Sequence, residues 1–237
     1  MEITRNIEII DLCLFLKNYK TIILTDTHIG YEEALNKQGI LIPRFQFREV
    51  IKRLKEVLSK TKNLERIIIN GDVKHEFGSI SKQEWKFTLR LLDFLSNYCK
   101  KIILIKGNHD TILGPIAKKR NIIVLKHYKL RNTLIIHGHK LPEKDILHGI
   151  KTIIIGHEHP AITIREGPRT ELFKCFLKGK WKRKNLIVQP SFNFVTEGID
   201  IKKEELLSPF LKNNISEFEV FIVADKVYKF GKLKDIE

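Results

Sequence analysis

Five times along this chain a short, nearly continuous run of Ile, Leu and Val ends in a cluster of residues able to ligate metal or carry protons. The runs are residues 21–24, 66–69, 101–105, 133–136 and 152–155. Unbroken β-branched runs of this length read as strands buried on both faces, a pattern of sheets covered on either side. The clusters that follow them are Asp26-Thr27-His28, Gly71-Asp72, Gly107-Asn108-His109-Asp110, His137-Gly138-His139 and Gly156-His157-Glu158-His159. Each lies at the C-terminal end of its strand, where open α/β sheets build binding sites.

Between the first three runs the hydrophobic period lengthens. Residues 47–58 place Val50, Ile51, Leu54, Val57 and Leu58 at helical spacing, and residues 85–98 do the same. Ser81 followed by Glu84 reads as a capping box opening the second helix. The order is β-α-β-α-β and then mostly β, with further strands expected at 122–125, 161–165, 186–189 and 218–224. One parallel sheet does not easily hold so many strands. The expected fold is α/β, with two mixed sheets packed as a sandwich and flanked by helices. Residues 197–216, interrupted by Gly198 and Pro209, read as a surface loop or short helices. The 237 residues are read as one domain.

Composition limits the surroundings. No apolar run approaches the roughly 20 residues of a membrane span. The first eleven residues carry Glu2, Arg5 and Glu8 where a secretory leader would be apolar, so the cytoplasm is the expected compartment. Cys13, Cys99 and Cys175 are odd in number and far apart, which suits buried thiols better than a disulfide framework. The net charge of +15 attracts polyanions such as nucleic acid, although a Lys- and Glu-rich thermophilic surface gives a similar composition. Lys180, Lys182, Arg183 and Lys184 surround Trp181 in the densest basic run. Such a run forms either a solvated hairpin or a surface that binds phosphates and stacks bases. Lys118-Lys119-Arg120 is a smaller run of the same kind.

In an extended segment residues two apart share a face, so Asp26 pairs with His28 and His157 with His159. By the same reasoning Glu158 points away to solvent. His139 competes with His137 for one position, and His137 is preferred because it follows the buried run directly. One such cluster is weak, but five in this order resemble the calcineurin-like metallophosphoesterase family, whose pattern is DxH, GDxxD or GDxxH, GNH(D/E), a later His, and GHxH. The family's four-layer α-β-β-α fold is then implied. So is a two-metal site with Asp26, His28, Asp72 and His159 on one ion and Asp72, Asn108, His137 and His157 on the other.

The implied reaction is phosphodiester hydrolysis by a hydroxide held between the metals, with His109 as proton donor and Asp110 orienting it. Mixed N and O ligands fit Mn, Fe, Co, Ni or Zn, and the family's diesterases point to Mn. The form Gly71-Asp72-Val73-Lys74-His75 resembles the SbcD-type nucleases and their short ligase-associated relatives, as does Gln189-Pro190-Ser191-Phe192-Asn193. That likeness places His75 near the substrate and makes DNA or RNA the expected partner. Hydrolysis of small nucleotides and a non-catalytic nucleic-acid-binding protein are the competing readings.

Overall fold

The computed structural model describes residues 1–236. The first sheet opens with three short strands, β1 (Glu2–Thr4), β2 (Ile7–Ile10) and β3 (Cys13–Leu16). It continues through β4 (Thr21–Leu24), β5 (Arg66–Asn70), β6 (Ile102–Ile105) and β7 (Ile123–Leu125). Neighbours follow sequence order, antiparallel as far as β4 and parallel from β4 to β7. Parallel neighbours need crossovers, and helices provide them. These are α1 (Tyr31–Lys37) and α2 (Gln46–Ser59) after β4, α3 (Lys82–Ser96) after β5, and α4 (Gly114–Lys118) after β6. The capping box is present in both halves: the Ser81 hydroxyl accepts from Glu84 N–H, and the Glu84 carboxylate accepts from Ser81 N–H. α2 has no cap of its own; the Glu32 carboxylate of α1 accepts the N–H groups of Phe45 and Gln46, each at 2.9 Å.

The second sheet contains β8 (His127–Leu130), β9 (Thr133–Ile136), β10 (Thr152–Ile155), β11 (Pro160–Glu166), β12 (Arg169–Trp181), β13 (Lys184–Val188), β14 (Ile199–Asp200), β15 (Glu219–Val223) and β16 (Val227–Lys232). Its order is β14-β11-β12-β13-β10-β9-β8, and β15 joins β12 to the outer strand β16. Side chains alternate between two cores as the pleat requires. Ile135, Ile154, Phe176, Ile187 and Phe221 face the first sheet. Leu134, Ile153, Ile155, Leu177 and Leu186 face outward onto Phe210, Leu211 and Ile215. Each fully buried Ile, Leu or Phe contributes about 1.5–3 kcal/mol, so these two interleaved layers hold the sandwich.

The expected two-sheet architecture is therefore present. The outer face of the second sheet is covered by the irregular segment 201–218 rather than by regular helix. β1 to β3, β8, β12, β14 and β16 add to the strands read from sequence. All three cysteines are buried and free, and no helix among the described residues is long and apolar enough to cross a membrane.

Candidate metal centre

Parallel hydrogen bonding continues past the end of β4: Asp26 N–H donates to Gly71 C=O at 3.0 Å and His28 N–H to Asp72 C=O at 2.9 Å. The two loops thus leave the sheet side by side. They do not remain extended. Asp26, His28, Asp72, His157 and His159 all have positive φ, between 41° and 67°. Such angles are uncommon for residues with a Cβ, and several side by side mark backbone strained for a purpose. Asp26 and His28 do converge, but through alternate left-handed residues rather than the extended pleat assumed from sequence, whereas His157 and His159 enter separate groups. Gly107 allows one close approach, because a Cβ there would lie 2.0 Å from Asp72 Oδ1.

Two groups of ligand atoms result, each lying within 4.8 Å of one another: Asp26, His28 and His159, and Asp72, His137 and His157. Asp72 Oδ2 also stands 3.9 Å from His28 Nε2 and 3.2 Å from His137 Nε2, so one carboxylate faces both groups. Asn108 Oδ1 is 3.1 Å from His137 Nε2. His137 Nδ1–H donates to the Asn70 carbonyl at 2.9 Å, which turns Nε2 toward the two oxygens.

This donor set calls for cations. His137 Nε2 meets two acceptors, His28 Nε2 and His159 Nε2 face each other at 3.3 Å, and Asp26 Oδ1 is buried without a hydrogen-bond partner. Protons or metal ions must lie between such groups, and a set of imidazole nitrogens with carboxylate and amide oxygens suits transition metals. Without metal, protons take that place. Burial alone disfavours a charged His137, yet the carboxylates of Asp26 and Asp72 override it and lift its pKa to about 9. Burial likewise works against ionised Asp26, but His159 and His137 together hold it well below the usual carboxylate range. His157, His139 and His75 are each lowered to about 4, by burial and then by a neighbouring imidazole.

His109 N–H donates to Asp72 Oδ1 at 2.8 Å. Its ring Nδ1 donates to the His75 carbonyl, leaving Nε2 facing inward, 4.0 Å from Asp72 Oδ2. Asp110 does not orient this ring. It is buried and accepts Val73 N–H and Gly107 N–H, both at 3.0 Å, so it ties the Asp72 loop to the Asn108 loop. Burial and Asp72 raise its pKa to about 6. The side chain of His75 stacks on Tyr31 at 4.0 Å and joins His28 and His109 in a third group of converging imidazoles. His139 lies beside His137, ring centres 5.3 Å apart, and enters none of the groups.

Other expectations are corrected by burial and topology. Glu158 is buried, and its carboxylate accepts Leu207 N–H at 3.1 Å and Ser208 N–H at 2.8 Å, anchoring the outer segment. Trp181 is buried against Phe210 and has no face for a base. Lys182 and Arg183, with φ of 45° and 64°, form the tight turn between β12 and β13. Lys184 donates to the carbonyls of Leu147 and Ile150, and Lys180 to Asn185. β13 runs parallel to β10 with Asn185 opposite Thr152, so this hairpin lies at the end of the sheet away from His157. Five extended residues put roughly 16 Å between them. Within residues 118–120, Arg120 is paired with Asp93 and Lys119 lies over Trp85.

Sequence reasoning passed over Gln46, Tyr31 and Phe77. Gln46 is buried and donates to the carbonyls of Thr27 and His28 at 3.1 and 2.8 Å. Phe77 lies over His109, ring centres 3.7 Å apart. Their only sequence signal was position: Gln46 begins a helix, and Phe77 follows the GDxxH segment by two residues.

A family model described as calcineurin-like phosphoesterase matches residues 19–161, more than half of the chain. No protein of curated function matches the sequence. A nuclease from Pseudomonas putida, MPE, superposes with a TM-score of 0.66 at 19% identity, over 93% of this chain and 92% of that one, which shows a shared fold. A protein of unknown function from Aquifex aeolicus gives a TM-score of 0.40 at 19% identity over 59% of this chain and 78% of the other. A predicted phosphoesterase from Streptococcus pneumoniae gives 0.36 at 13% identity over 89% and 93%.

Proposed function

The chain belongs to the calcineurin-like phosphoesterase family of metal-dependent hydrolases, and from that premise we propose that it is a two-metal phosphodiesterase that cleaves polynucleotides. Asp26, His28, Asp72 and His159 would hold one ion and Asp72, Asn108, His137 and His157 the other, with Asp72 between them. A bound pair of such ions supplies Lewis acidity at the phosphoryl oxygens and a nucleophile at neutral pH. His109 binds the outgoing side of the ester. With Nδ1 committed to the His75 carbonyl, its Nε2 is the atom that passes a proton to the leaving oxygen. We read the SbcD-related short nucleases as the branch, on the GDxxH form of residues 71–75, and manganese as the working metal, on the family's diesterases. The inter-sheet core draws on residues from Ile3 to Val223 and the site on residues from Asp26 to His159, which supports residues 1–237 as one catalytic unit.

One observation carries the choice of a polynucleotide. A groove of about 540 Å³ is lined by Arg44, Arg48, Lys52, Lys55 and Arg90 together with Glu32, Phe47, Ile51 and Phe87, and Arg90 lies over both aromatic rings. Arg48, Lys52 and Lys55 recur about once per turn along α2. Among the described residues Arg44, Arg48, Lys55 and Arg90 have no acidic partner within 4.0 Å. The groove starts beside the site, because Gln46 at the head of α2 bonds to the Thr27 and His28 carbonyls. A free basic track leading from a phosphoesterase site suits a chain of phosphates better than a single nucleotide. The nuclease of like fold from Pseudomonas putida agrees with this reading.

The test is an assay of Mn-loaded protein on single-stranded DNA, RNA, bis-p-nitrophenyl phosphate and p-nitrophenyl phosphate. Cleavage of a polynucleotide and of the diester, with little monoester hydrolysis, is expected. Turnover confined to the small esters would exclude the nuclease reading and favour small nucleotides.

A further inference from the structure

One exposed aromatic side chain lies against the metal centre. Phe77 is 59% exposed, and one face of its ring is against His109 at 3.7 Å with a 37° tilt. Apolar surface left bare at a site rim marks something that binds there. Phe77 is also held in place. His75 N–H and Glu76 N–H both donate to Glu84 Oε1, Phe77 C=O accepts from Ser79 N–H at 2.7 Å, and Gly78 N–H donates to Thr111 Oγ1 at 3.3 Å. A ring fixed in this way gives up little freedom on binding.

We infer that Phe77 is the stacking platform for the base of the nucleotide on the leaving side of the scissile phosphate, so that this enzyme reads an unpaired base beside the bond it breaks. The inference rests on the polynucleotide reading above. The geometry selects the base. With the phosphate at Asp26, Asp72 and their partners, the leaving oxygen lies at His109 Nε2, and the group it carries continues past the imidazole onto the exposed face of Phe77. Every base has a π-face, so the contact favours single strands without choosing a sequence. A paired base keeps its neighbours in the duplex and is not free to stack there.

A thymidine dodecamer with one central abasic residue tests this, with products mapped bond by bond. Wild-type enzyme is expected to cleave the bond whose leaving side is abasic roughly ten- to a hundredfold less than the others, the value of one base-aromatic stack. Phe77→Ala should lose about the same factor at the other bonds and show no further loss at the abasic one, because partners of one contact are not additive. Phe77→Trp should restore the wild-type pattern. Undiminished discrimination at the abasic bond in Phe77→Ala overturns the inference. If wild-type protein hydrolyses bis-p-nitrophenyl phosphate but leaves the dodecamer and RNA intact, the polynucleotide reading itself has failed, and the role of Phe77 with it.

Discussion

Asp72 and His109 sit side by side, yet the proposed centre gives them different tasks. Asp72 faces both ligand groups, whereas His109 meets it only through a backbone N–H and an inward Nε2. Asp72→Ala is therefore expected to lose both metals together by elemental analysis. His109→Ala should keep them and lose about 10²–10⁴ in turnover, more on esters with poor leaving groups, which need the proton. Metal loss from His109→Ala would show that the imidazole belongs to the shell. His137 adds a pH signature. Its pKa in the metal-free protein, about 9, lies above the usual 6.5. The proton it holds stabilises the metal-free fold fully below about pH 6.5, and that stabilisation is lost as pH rises through about 9. Metal must displace that proton. Titrations at pH 7.5 in buffers of differing ionisation enthalpy should report about one proton more released per chain from wild type than from His137→Gln. The ligand candidates were legible because motif order survives folding. Asp110 and Glu158 were misread because their partners, the N–H groups of Val73 and Ser208, come from residues 37 and 50 positions away.

Local chemistry made some elements readable and tertiary pairing made the others. β4, β5, β6, β9 and β10 are continuous apolar runs, so sequence alone located them to within a residue. β1 to β3 are three or four residues each, too short to carry a period, and they exist because β4 offers an edge to pair with. β12 was hidden by its lysines. Lys174 is buried between the sheets, bonded to Ser191 Oγ and the Thr196 carbonyl, where the sequence offers only a charge. The start of α3 was legible in full, and it does more than begin a helix. Glu84 is buried and accepts the N–H groups of Ser81, His75 and Glu76. Ser81→Ala should cost about 1 kcal/mol in urea unfolding, the usual loss of a cap, with activity retained. Glu84→Ala strands three donors and should cost at least about 2–3 kcal/mol. It should also slow cleavage, since the same carboxylate holds the segment carrying His75 and Phe77. Equal costs for the two variants would mean that Glu84 serves the helix alone.

At the scale of the whole molecule the question is where a net charge of +15 is used. That excess is spread over 43 basic residues, and several of these are already paired. Glu219 takes Lys178 and Lys229, and Glu217 takes Lys232 and Lys234, all on the strands around β15. The dense run at Lys180–Lys184 is the feature sequence singled out, but it forms a hairpin turn remote from the ligands, with two of its lysines satisfied locally. The cations of α2 and α3 are dispersed in sequence between positions 44 and 90, and only the fold assembles them into a track beside the site. Salt dependence separates the two surfaces, since each phosphate contact on a single strand contributes about −0.7 to the slope of log affinity against log salt. Replacing Arg44, Arg48, Lys52, Lys55 and Arg90 by Ser should flatten that slope by as much as about 3.5 and weaken polynucleotide cleavage. Bis-p-nitrophenyl phosphate, too small to reach along the groove, should be hydrolysed at the wild-type rate. Replacing Lys180, Lys182, Arg183 and Lys184 by Ser should leave the slope unchanged. If the hairpin variant flattens the slope and the helix variant does not, the nucleic acid follows the far end of the second sheet, and the track along α2 is only a solvated basic face.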